Sequence, residues 1–69
     1  MTMKPRMNRR NAADRLQVQA ENLFQLSADA RDARWFGMAE SYRAEAIEMA
    51  RRAYNLSPTA SRLAMLINR

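Results

Sequence analysis

Two stretches of this chain carry the same alternation of large and small residues, and that match limits the folds open to it. From Trp35 to Leu56, large side chains recur every seven residues at Trp35, Tyr42, Met49 and Leu56. Alanines fall four residues after each of the first three, at Ala39, Ala46 and Ala53. This spacing puts all seven on one face of an α-helix. Earlier in the chain, Ala13, Leu16, Ala20, Leu23, Ser27 and Ala30 follow at three- and four-residue steps, with Leu16 and Leu23 set between small residues. Rows of small residues let two backbones come close, and the large residues then flank the contact. Two such helices are expected to pack antiparallel at a shallow angle, near ~20°.

The expected fold class is therefore all-α: an antiparallel helical hairpin with a short C-terminal third helix. Asn11 is the expected N-cap of the first helix, with Asp14 at its third position and Asn8 as an alternative one turn earlier. Residues 1–10 read as a flexible basic arm, since Pro5 biases Lys4 away from helical backbone. Residues 11–69 then form a single domain. The turn between the long helices is placed within 27–34, where Ser27, Asp29 and Asp32 are the candidate N-caps. The alternative is one unbroken helix of about 45 residues, which would need a second chain to stabilise it. Gly37 either occupies the first turn of the second helix or permits a close backbone contact beside Trp35. In a helix interior it would cost ~1 kcal/mol. The second helix stops at Asn55-Leu56-Ser57-Pro58, with Ser57 expected as N-cap and Pro58 as first residue of the third helix. There Ala60, Leu63, Ala64 and Ile67 share a face, while Met65 and Leu66 lie off it.

Composition narrows the means of stabilisation. One Gly and two Pro argue against a β fold. With no Cys and no His there is no disulfide, no thiolate site and no ordinary zinc donor set. No metal or cofactor is expected. A chain of 69 residues forms a core that rarely nets more than ~3–5 kcal/mol, so a homodimer is expected by elimination. No apolar run approaches the ~18–20 residues that span a bilayer, and no signal-peptide h-region follows the basic start. The expected compartment is the cytoplasm.

Twelve basic against seven acidic residues give a net charge of +5, unevenly spread. Lys4, Arg6, Arg9, Arg10 and Arg15 against Asp14 make residues 1–15 net +4, residues 16–48 are net −3, and residues 49–69 are net +4. Catalysis has no visible equipment, because no hydroxyl has a base beside it. Glu40, Glu45 and Glu48 are interleaved with Arg43, Arg51 and Arg52, and Glu48 with Arg51 or Arg52 reads as an ordinary surface pair. There is no Gly-rich phosphate loop, and the chain is not expected to be an enzyme.

Binding remains, and two classes of partner stand. Lys4, Arg6, Arg9 and Arg10, with a second patch of Arg51, Arg52 and Arg62, suit phosphates. That supports a small nucleic-acid-binding accessory protein, although no helix-turn-helix or basic zipper is present. The leading reading is protein binding. Phe36, Ile47, Ala50 and Tyr54 form a second apolar line on the second helix, and Val18, Phe24 and Leu26 lie off the stripe of the first. A hairpin alone cannot bury them all, and such surplus marks interfaces. Arg6, Arg9, Arg10, Trp35, Tyr42 and Tyr54 are the expected partner-binding residues. Phe24, Phe36, Ile47 and Leu66 are the expected dimer interface. For Trp35 and Tyr42, burial in the subunit core stands as the other reading.

The segment AEAIEMARRAYNLSP, Ala44 to Pro58, resembles the second helix and closing turn of a tetratricopeptide repeat through Ala46, Ala53, the Tyr54–Leu56 pair and Pro58. The Trp-Leu-Gly run of that repeat is missing, and a stable array needs about three units. The match is read as a shared solution to helix-hairpin packing. As a whole, a small, basic, Arg- and Ala-rich, Cys-free helical hairpin is similar to small early proteins of temperate bacteriophages, in particular the phage anti-quorum-sensing proteins. That resemblance implies a stoichiometric inhibitor in the host bacterial cytoplasm, masking a LuxR-type quorum-sensing transcription factor and engaging a pilus-assembly ATPase.

Overall fold

The computed structural model describes residues 9–67, and they are helical with short connections. Helix α1 spans Arg9–Asp32, α2 spans Phe36–Leu56 and α3 spans Ala60–Ile67. α1 and α2 form the expected antiparallel hairpin, and α3 folds back upon it. No strand occurs among the described residues.

The hairpin core is built of small residues. Ala13, Ala20, Ala46, Ala50 and Ala53 are all fully buried, Ala30 and Ala39 nearly so, and Ser27 lies among them. Buried within that row, the Ser27 hydroxyl donates a 2.7 Å hydrogen bond to the carbonyl of Ala39. With Ser27 opposite Ala39 and equal rise along both helices, Ala20 falls opposite Ala46 and Ala13 opposite Ala53. The seven-residue small-residue spacing of one helix thus meets that of the other, and no large side chain among the described residues is fully buried.

The turn differs from expectation in its chemistry. α1 runs through Ser27 and Asp29 and ends at Asp32, so none of the three candidate N-caps serves. Arg34 instead takes a left-handed backbone, φ 65°. Its N–H donates to the Arg31 carbonyl at 2.9 Å, and the Trp35 N–H reaches the Ala30 carbonyl at 2.8 Å. This pair of bonds satisfies the last carbonyls of α1 in the usual manner of a left-handed helix cap, with arginine where glycine is common. Trp35 is the N-cap of α2 without a side-chain cap bond, and Gly37 lies in the first turn with open space around it. At the other end Asn11 lies inside α1 rather than at its start, and Arg9 and Arg10, assigned to the arm, belong to that helix. Residues 1–8, including Asn8 and the rest of the arm, lie outside the described residues.

α3 starts two residues later than expected. The Thr59 hydroxyl accepts the Arg62 N–H at 3.2 Å, so Thr59 caps the helix and Ser57 instead closes α2, its N–H donating to the Ala53 carbonyl. The face of α3 is also turned: Arg62 and Met65 are buried, while Leu63 and Ile67 are 40% and 70% exposed. The cause is Arg62. Its guanidinium donates to the Gln17 side-chain oxygen at 3.0 Å, to the Ser57 carbonyl at 2.7 Å and to an Asp14 carboxylate oxygen. A guanidinium fixed to three acceptors on α1 and the preceding turn sets the rotation of an eight-residue helix, and Met65, three residues on, then enters the core.

Candidate protein-interaction surface

A pair of helices has two broad sides, and α3 occupies one of them. Met65 packs with Ala20, Phe24, Ala46 and Ala50, and Leu23, Ile47, Met49 and Leu66 join at the edges of this cluster. Phe24 is therefore part of the core of a single chain. That corrects its assignment to a dimer interface: its exposed area is already taken up by α3. Ile47 and Leu66 are half-buried in the same packing, whereas Phe36 stays 60% exposed.

The opposite side has no covering element among the described residues. At 3.6 residues per turn, Leu16, Leu23 and Leu26 of α1 and Met38, Tyr42, Met49 and Leu56 of α2 lie on the flanks turned away from α3. None of these seven is fully buried: Leu23 and Met49 pack against the edge of the core, and Leu26 and Met38 are nearly half exposed. They form an apolar strip along the hairpin. At its turn end the strip deepens into a groove of about 140 Å³ lined by Leu26, Asp29, Ala30, Trp35, Met38 and Tyr42. The local cause is the cap at Arg34: it brings Trp35 back over Ala30 and starts α2 so that Met38 and Tyr42, four residues apart, face Leu26.

The expected partner-binding residues do not form one site. Trp35 and Tyr42 meet in the groove at the tip. Tyr54 is at the far end, beside Pro58, Thr59, Ala60 and Leu63. Arg10 is exposed at the start of α1, and Arg6 lies outside the described residues, as does the side chain of Arg9. Arg62 is not part of a basic patch with Arg51 and Arg52, because it is 5% exposed and fully engaged. Arg51 and Arg52 are exposed and pair with Glu48 at 3.4 and 3.3 Å. The half-exposed strip including Leu16, Leu23 and Met38 was missed as a surface. Leu16, Leu23, Met49 and Leu56 are legible as large residues of the two stripes, but the spacing alone places them at the contact between α1 and α2, and Met38 belongs to neither stripe.

Charge divides along the hairpin. In the tip half, Glu21, Asp29, Asp32, Glu40 and Glu45 face Arg31, Arg34 and Arg43, a net −2. In the open half, Arg10, Arg15, Arg51, Arg52 and Arg62 outweigh Asp14 and Glu48, a net +3 among the described side chains. No family model, curated protein or solved structure matches this chain. No helix among the described residues is long and apolar enough to cross a membrane.

Proposed function

We propose that this chain is a protein-binding module that acts as a homodimer, in the cytoplasm, by stoichiometric masking of its partner rather than by catalysis. The observation that carries this reading is the aromatic tip, where adjacent Trp35 and Phe36 are 61% and 60% exposed, and Phe36, which does not line the groove of Trp35, Met38 and Tyr42, is the anchor assigned to the partner. Large aromatic side chains left in water cost stability unless an interface covers them, and they are the residues that most often dominate binding energy. The resemblance to phage anti-quorum-sensing proteins makes a LuxR-type transcription factor the first partner to test, and a pilus-assembly ATPase the second.

The test is capture by tagged protein from nuclease-treated bacterial lysate, followed by titration against the purified partner. A 1:1 complex that survives high salt and weakens about 30-fold or more in Phe36→Ala supports the reading. An eluate that is full before nuclease and empty after it overturns it. That second outcome belongs to the alternative, a small nucleic-acid-binding accessory protein, which the exposed Arg10, Arg15, Arg51 and Arg52 of the open end favour. Such a protein would bind random duplex with affinity falling steeply as salt rises.

A further inference from the structure

We infer that the broad side opposite α3 is covered by a second copy of this chain, laid antiparallel so that the tip of each hairpin rests on the open end of the other. The inference rests on the homodimer reading above and adds the face and the orientation.

Three observations carry it. The interior of the single chain is mostly alanine, with no large side chain fully buried among the described residues, so a chain of this size lacks the apolar burial that small domains need. The uncovered strip supplies what is missing. A 24-residue α1 gives a face ~36 Å long, and two helices make it ~20 Å wide, roughly 700 Å² in projection. A stable interface takes about 800 Å² per partner once side-chain relief is counted. Finally, the charge is self-complementary in one orientation only. With hairpins antiparallel, each net-negative tip half meets a net-positive open half, and the two contacts are related by one two-fold axis. With the hairpins parallel, like charge would meet like at both ends. In the antiparallel pair Leu26 and Met38 of one copy approach the Leu16 and Leu56 end of the other, and Phe36, on the side of α3, stays free.

The absence of cysteine makes the orientation directly measurable. Ala33→Cys, at the exposed turn, takes a spin label, and the label-to-label distance is read by pulsed electron resonance while mass is read by light scattering. The expected result is twice the 8.0 kDa chain mass with a distance of ~35 Å or more, set by the helix length. Leu26→Glu and Met38→Glu, both at exposed positions, should give folded monomers by circular dichroism, and Phe36→Glu should leave the dimer intact. A dimer with labels within ~20 Å overturns the orientation and leaves the homodimer standing. A dimer that persists in both face variants overturns the face. A monomeric parent chain overturns the inference and the homodimer reading with it, leaving the strip to a partner of another sequence.

Discussion

The hydroxyl of Ser27 and the carbonyl of Ala39 are joined by a 2.7 Å hydrogen bond in the middle of an otherwise apolar contact. Ser27 is the one place in the row of small residues where a slide of one helix along the other would break a specific bond rather than exchange one alanine for another. Polar groups inside a contact act this way because leaving them unpaired is costly. Ser27→Ala keeps the volume and removes the donor. The Ala39 carbonyl retains its place in the α2 ladder, so the expected loss is about 1 kcal/mol, a melting shift of roughly 4–8 °C for a chain of this size. No shift by calorimetry would show that the bond does not hold the register.

Close approach makes a second demand. Ala20 and Ala46 have no exposed surface and share one cluster. A side chain larger than methyl at either position must separate the helices. Ala46→Leu is expected to cost about 1–3 kcal/mol as overpacking, whereas Ala44→Leu, two residues away and exposed, should stay within ~0.5 kcal/mol. Equal midpoints for the two variants in urea would sink the alanine-to-alanine packing.

The turn holds stability that substitution can release. Arg34 has a left-handed backbone, φ 65°, a conformation that costs a residue with a Cβ about 1–2 kcal/mol and glycine almost nothing. Arg34→Gly is therefore expected to raise stability by roughly 1 kcal/mol, less the entropy that glycine adds to the unfolded chain. Gly37 presents the converse: it is helical and a Cβ there would meet nothing within 4 Å. Gly37→Ala should stabilise by ~0.5–1 kcal/mol. Each is measured by its shift in denaturation midpoint, and a loss of stability in either contradicts the backbone assigned to that residue.

How much of this was legible follows from which interactions are local. The antiparallel hairpin could be read from Ala13, Ala20 and Ser27 against Ala39, Ala46 and Ala53, because seven-residue spacing is a property of each helix alone. The turn was legible only in its neighbourhood. Asp29 and Asp32 look like caps, but the break is made by the backbone of Arg34, and nothing about an arginine announces a left-handed conformation. The rotation of α3 was hidden for a different reason. Leu63 and Ile67 make the better apolar stripe, and only the contacts of Arg62 with Asp14 and Gln17, 48 and 45 residues away, turn Met65 inward instead. The same long-range contact removed Phe24 from the surface. Of the proposed site, Trp35 and Tyr42 could be named from residue type. Their meeting with Leu26 and Met38 in one groove depends on the cap that the sequence did not reveal.

Arg62 is also where the docking of α3 can be tested. Its three acceptors differ in what they lose. Asp14 is 57% exposed and would be solvated if the arginine left, so its share of the pairing is screened and small. The Ser57 carbonyl and the Gln17 amide are the neutral acceptors of a nearly buried guanidinium, and bonds to a charged donor contribute about 1.5–3 kcal/mol in such settings. Arg62→Ala is thus expected to cost roughly 2–3 kcal/mol, and Asp14→Asn less than ~1 kcal/mol. Arg62→Lys should resemble the alanine variant more than the parent, because an ammonium lacks the planar fork that reaches three acceptors at once. The loss should be local. α3 holds its place through Arg62, Met65 and Leu66, whereas the α1–α2 contact is continuous and independent of it, so amide exchange in residues 63–67 should quicken at least tenfold while Ala20 and Ala46 stay protected. If exchange instead rises equally in all three helices, α3 is part of the cooperative core and Arg62 is not the clamp that sets it.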